Sequence, residues 1–110
     1  MSKLLFTLTL ALLLLSSCKK ESTTPECVED KIKVFKTEVL CSEGAKVEQY
    51  SFQSQKVYVF HEGLCIADGT AEVIDLNCKT LGYLGGIMGN NKINGESFSN
   101  AELTKTLWKQ

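Results

Sequence analysis

His61 is the only histidine in the chain; Glu62 follows it directly, and Asp68 lies six residues further on. An imidazole with two carboxylates nearby could hold a divalent cation, so His61, Glu62 and Asp68 are candidate metal ligands. The same histidine could act as a general base if a serine or cysteine nucleophile were placed beside it. No serine stands in a nucleophile-elbow sequence, and the cysteines have a better use. Glu62, Asp68, Glu72 and Asp75 could supply an acid/base pair of carboxylates. A lone histidine beside acids also arises wherever a strand ends in solvent. A chain this short rarely builds both a core and a substrate cleft. The residues are therefore candidates without a complete catalytic constellation.

Four cysteines, Cys27, Cys41, Cys65 and Cys78, follow one another at gaps of 14, 24 and 13 residues. A zinc site or a redox-active pair would want CxxC-like spacing, which is absent. An even number in a small exported domain reads instead as two disulfides.

The fifth cysteine sits at a seam. Lys3 is followed by an apolar run, Leu4 to Leu15, broken by Thr7 and Thr9, and the run ends in Leu15-Ser16-Ser17-Cys18. A positive start, a short apolar stretch and small residues at its exit form a secretory signal. The run is shorter than the roughly 20 residues that span a bilayer. Its exit resembles the lipobox of bacterial lipoproteins. That resemblance implies a signal peptide over 1–17 and Cys18 as the acylated first residue, with two or more acyl chains as a sufficient membrane anchor. A lipidated tether would cover 18–24 and a single domain 25–110. Lys19-Lys20-Glu21 is similar to the surface-export signals of Bacteroidetes lipoproteins. The implied address is the cell envelope, at the outer membrane, on either the periplasmic or the surface face.

Removing residues 1–17 from 110 leaves 93, enough for one small domain. That portion carries 11 lysines against 13 acids and no arginine, the usual bidentate reader of phosphate and guanine. A nucleic-acid partner is disfavoured.

The elements that would position these groups follow from periodicity. Thr24-Pro25-Glu26 is a helix-start pattern, and Val28, Ile32, Phe35 and Val39 form one apolar stripe. A helix is predicted over about 25–39, with Gly44 as its stop. Val47 to Gln53 and Lys56 to His61 read as strands joined at Ser54-Gln55. Lys56 to His61 is dense in β-branched and aromatic residues on both faces, which suits an internal strand covered on one side by the helix. Ala71 to Leu76 and Thr80 to Leu84 supply two more strands. Phe35 is expected to pack on the Tyr58/Phe60 or Val57/Val59 face.

The segment GYLGGIMGNNKINGESF holds five of the eight glycines. It matches neither phosphate-loop pattern, and no cofactor is expected. A glycine-bent strand with an Asn-Asn turn is the plain reading. As an exposed loop it makes Gly85, Gly86, Asn90 and Asn91 candidate binding residues. Tyr83 and Trp108 are possible contact aromatics, with core or edge packing as the alternative. The last segment fits a closing strand better than a helix started by Ser99 and Glu102, and both stay open.

One helix on an antiparallel meander of four to five strands is an α+β two-layer sandwich. This outline resembles small envelope modules of the cystatin-like or β-lactamase-inhibitor-like kind. More closely, KVYVFHEG, EVIDLNCKTLGYLGG and GNNKINGESF resemble phrases shared by a small family of uncharacterised Bacteroidetes lipoproteins, over most of residues 26–109. That resemblance implies a location and a single domain, and no activity.

Chain direction predicts the disulfides. A helix rising about 1.5 Å per residue separates Cys27 from Cys41 well beyond the roughly 7 Å that a bridge allows between Cα atoms. The helix carries Cys41 to the end of the sheet where the second strand delivers Cys65. The third strand returns to the helix start and delivers Cys78. Cys41–Cys65 and Cys27–Cys78 are the expected pairs. The expected function is a membrane-tethered binding module, inhibitor-like in outline, facing an envelope or extracellular protein. The alternative is a small metal-dependent enzyme or hydrolase centred on His61.

Overall fold

The structure is a computed structural model that describes residues 24–110. The expected signal segment, Cys18 and the expected tether up to residue 23 lie outside the described residues. The chain forms a helix, α1 (Glu26–Glu38), and then strands β1 (Lys46–Phe52), β2 (Gln55–His61), β3 (Thr70–Ile74) and β4 (Thr80–Gly85). A small hairpin, β5 (Lys92–Ile93) and β6 (Glu96–Ser97), leads through a 3₁₀ turn (Phe98–Asn100) into β7 (Glu102–Lys109). The main sheet is antiparallel with order β4-β3-β2-β1-β7.

The expected helix is present, with its start handled differently from expectation. Pro25, and not Thr24, is the residue that caps α1, and no side chain caps it. The Pro25 carbonyl accepts from Val28 and Glu29 N–H, each at 3.0 Å. Proline fits because it lacks the donor that a first turn leaves unused. Glu26 and Glu29 lie in the positive first turn and Lys36 in the negative last turn. Gly44 does not stop the helix: Val39 already adopts extended backbone. The chain leaves α1 early because buried Cys41 is bonded to Cys65 on the sheet side. Gly44 turns the following loop at φ +87°, where a Cβ would meet the Leu64 side chain at 2.6 Å.

β1 and β2 join one residue earlier than the sequence suggests. The turn is Gln53-Ser54, with φ of 51° and 60°, and Phe52 pairs with Gln55. Two positive φ values match the twist of a two-residue hairpin. Gln53 is held there by side-chain bonds with Glu96 and Asn94, each at 3.2 Å.

β2 is the middle strand, and Val57, Tyr58, Val59 and Phe60 are all buried. On one face Val28 and Ile32 of α1 meet Val47, Tyr58, Phe60 and Ile74, with Phe35 edge-on to Phe60 at 5.2 Å between ring centres. Phe35 therefore chooses the Tyr58/Phe60 face. Full burial of such side chains contributes about 1.5–3 kcal/mol each.

The other face is also covered. β4 ends at one edge of the sheet and β7 lies at the opposite edge, beside β1. The chain between them crosses this face, laying Ile93 and Phe98 over Phe52, Val57, Val59 and Val73. The crossing piece is a hairpin turned at Asn94-Gly95, with φ of 50° and 78°. The helix and sheet are thus the expected two layers, and the β5–β6 sheet adds a partial third. The closing segment is a strand, and Ser97 caps the short 3₁₀ turn before it.

Both disulfides pair as chain direction predicts: Cys27–Cys78 and Cys41–Cys65, with Cα separations of 6.2 and 5.6 Å. Each ties α1, or the loop leaving it, to the sheet. Among the described residues no helix is long and apolar enough to cross a membrane.

Candidate functional site

The register sets one end of the sheet. Gly85 pairs with Thr70, Ala71 with His61, His61 with Lys46 and Lys46 with Lys109. This row is the end to which α1 descends and where Cys41 meets Cys65. The opposite end holds the start of α1, Cys27–Cys78 and the Gln53-Ser54 turn.

His61 sits in the first of these rows. Alternation puts Lys46, Glu48 and Tyr50 on the face away from α1, and His61 shares that face across the strand pair. Glu48 is only 6% exposed. Its Oε1 lies 3.1 Å from His61 Nε2 and 3.5 Å from Lys46 Nζ, and it accepts a hydrogen bond from the Tyr50 hydroxyl at 3.1 Å. The histidine nitrogen is close but not aligned as a hydrogen-bond donor, so that contact is electrostatic. Burial lowers the His61 pKa below its ordinary value; Glu48 opposes that shift and Lys46 adds to it. Burial first, and Glu48 second, push the Tyr50 phenol up to about 12.

A cleft of about 620 Å³ opens over this cluster, with Lys46, His61, Leu64, Ile66, Leu84 and Lys109 among its walls. The sequence candidates do not assemble in it as a metal centre. Glu62 and Asp68 are exposed loop residues, and the described residues contain no group of three or more His, Cys, Asp or Glu able to hold an ion. The acid that His61 meets is Glu48, which sequence reasoning missed. Its signal was strand alternation: Glu48 falls on the same face of β1 as Tyr50 and Phe52. The other carboxylates have structural work. Glu72 pairs with Lys31 at 3.0 Å and accepts from the Thr80 hydroxyl. Asp75 accepts from Asn77 and Lys79 N–H at 2.8 and 3.0 Å, and so shapes the turn that presents Cys78 at φ 63°.

The glycine-rich candidates form a turn. Gly85 and Asn90 exchange backbone bonds of 2.8 and 3.1 Å, and Gly86 N–H donates to Gly69 at 3.1 Å. The Asn90 side chain donates to Tyr83 and Lys92 carbonyls, and the Asn91 carbonyl accepts from Phe98 N–H at 2.8 Å. Gly85, Gly86, Asn90 and Asn91 thus hold the loop. What the loop displays is Ile87 and Met88, 84% and 92% exposed. At the same end Leu40 and Leu64, each the residue before a bridged cysteine, are 88% and 80% exposed. These four apolar side chains were not singled out from sequence, although two Leu-Cys steps and the Gly-Gly-Ile-Met-Gly run are visible there. Tyr83 is half exposed at the β4 edge. Trp108 packs on Phe35 at 6.1 Å, with Lys36 Nζ 5.8 Å over its ring.

The family model of a domain of unknown function, DUF6970, matches residues 33–110. No curated protein and no solved structure matches the chain.

Proposed function

The chain belongs to the DUF6970 family, and from that premise we propose that it is a bacterial envelope lipoprotein whose single domain binds a protein partner. Cys18 carries the lipid, residues 19–24 form the tether, and the outer membrane is the site of attachment, as in the Bacteroidetes lipoproteins that its phrases resemble. The observation that carries the binding role is the set Leu40, Leu64, Ile87 and Met88, each 80–92% exposed at one end of the fold. Isolated exposed apolar residues are ordinary, but a group of large ones gathered at one end of a small domain marks a contact surface. Residue 24 leads into the start of α1, at the opposite end, so a short tether leaves that surface facing away from the bilayer.

Two measurements test this. Labelling with a fatty-acid analogue is expected to mark the wild-type chain and to miss Cys18→Ser; label retained by the variant refutes the anchor. Cross-linked capture from envelope membranes is expected to retain a partner with wild-type chain and with Val34→Asp on the outer face of α1. Leu64→Asp/Met88→Asp is expected to lose it. Equal capture by both variants refutes the surface.

The cleft over Glu48 and His61 favours a second reading, a small hydrolase centred on His61. His61→Ala would then abolish turnover of a substrate while leaving partner capture intact.

A further inference from the structure

A second, smaller cleft lies where α1 ends against the loop after β2. Its volume is about 210 Å³, and its walls are Phe35, Glu38, Val39, Leu40, Glu62 and Ile66. Four of these are apolar. The other two are carboxylates at exposed positions, and neither has a salt-bridge partner among the described residues. The cleft exists because the Cys41–Cys65 bridge, 5.6 Å between Cα atoms, fastens the end of α1 to the loop that carries Ile66.

We infer that this cleft receives a lysine or arginine side chain of the protein partner. The inference rests on the binding-module reading above and names the chemistry of its ligand. A basic side chain has an apolar stem and a cationic head. Phe35, Val39, Leu40 and Ile66 suit the stem, and Glu38 and Glu62 suit the head. Charge complementarity extends beyond the cleft. Glu43 is exposed next to Leu64, whose N–H donates to the Glu43 carbonyl at 3.4 Å, and Asp68 is exposed three residues beyond Cys65. Apolar contacts rimmed by carboxylates select a partner segment that combines aliphatic and basic residues. At this cleft they disfavour an acidic segment, while Lys46 and Lys109 line the larger cleft beside it.

The test uses the full-length lipidated chain in phosphatidylcholine vesicles and a fluorescent Leu-Arg-Leu peptide, read by anisotropy. The control peptide replaces arginine with citrulline, which keeps the shape and removes the charge. Arginine peptide is expected to bind about three- to tenfold more tightly than citrulline peptide, and Glu38→Gln/Glu62→Gln is expected to erase that preference. Both positions are solvent-exposed, so the variant keeps the fold. Equal affinity for the two peptides, or a preference that survives the double variant, overturns the inference. N-acetylarginine amide bound as tightly as the tripeptide also overturns it, in favour of a small-molecule amine site. Envelope capture separates this from the wider reading. Capture that persists in Glu38→Gln/Glu62→Gln and disappears in Leu64→Asp/Met88→Asp removes the basic-side-chain site and leaves the binding module standing.

Discussion

Phe35→Ala is expected to lower the stability of the domain by about 2–4 kcal/mol. Phe35 is half-buried at the seam between α1 and the sheet. It meets Phe60 at 5.2 Å and Trp108 at 6.1 Å, both edge-on. Truncating a fully buried phenylalanine costs about 3–5 kcal/mol. Partial exposure reduces that figure, and the loss of two edge-on pairs, about 0.5–1.5 kcal/mol each, restores part of it. A domain of this size has a total of about 5–10 kcal/mol to lose. The assay is urea unfolding with both disulfides intact, followed by the fluorescence of Trp108, the single tryptophan. Because Trp108 touches Phe35, its signal reports the seam directly. With a slope of about 1–2 kcal/mol per molar urea, the midpoint should fall by at least about 1 M. Phe35→Leu, which keeps most of the volume, should move it far less. A midpoint unchanged in Phe35→Ala, at unchanged slope, would falsify the claim that this ring bonds helix to sheet.

Three further outcomes are expected. Peptide mapping of unreduced protein should yield Cys27–Cys78 and Cys41–Cys65 fragments, and Cys41→Ser/Cys65→Ser should cost about 3–4 kcal/mol in the chain-entropy account of a 24-residue separation; a Cys27–Cys41 fragment would refute the topology. Tyr58 is fully buried and its hydroxyl has no hydrogen-bond partner among the described residues, so Tyr58→Phe should stabilise the domain by about 1 kcal/mol, and a clear drop in midpoint would reveal a partner for that hydroxyl. Stability should also vary with pH at both limits. His61 is depressed from 6.5, so the unfolded chain takes up its proton first, and stability complete above about 6.5 declines as pH falls further. Tyr50 is raised from 10.0 to about 12, so stability present below 10 declines as pH climbs between those values. Burial raises Tyr58 in the same direction, so Tyr50→Phe should weaken the alkaline limb without abolishing it, whereas His61→Gln should flatten the acid one; unchanged limbs would show that neither His61 nor Tyr50 is coupled to folding.

The helix, the strand order of the meander and both disulfides were legible because each rests on local period or chain direction. A stripe at Val28, Ile32 and Phe35 can only face one way, and four cysteines on elements of known direction have one consistent pairing. What depended on register was less accessible. A turn at Ser54-Gln55 would set Glu48 directly across from His61; the turn at Gln53-Ser54 moves the pairing by two residues. Lys46 then faces His61, and Glu48 reaches it diagonally. The Asn94-Gly95 hairpin was missed because its strands are two residues each, too short for any alternation to show. Leu40 and Leu64 lay in connecting segments, and Ile87 and Met88 in what read as a glycine-bent strand; their exposure follows from tertiary placement and not from period.

The seating of β7 beside β1 orders events during folding. β1 to β4 are joined by short connections, so their pairing closes small loops and can form as soon as they emerge. The second edge of β1 waits for residues 102–109, more than fifty positions later, since Lys46 pairs with Lys109. Closure entropy grows only slowly with length, about 0.6 kcal/mol per doubling, so the delay lies in waiting for the segment more than in free energy. Until β7 arrives, the nascent sheet offers an open strand edge to any neighbouring chain. The C-terminal strand therefore closes the open edge of the fold's own first strand. It then presents Lys105 and Lys109 along its length, charges of the kind that keep a sheet edge from recruiting the next molecule.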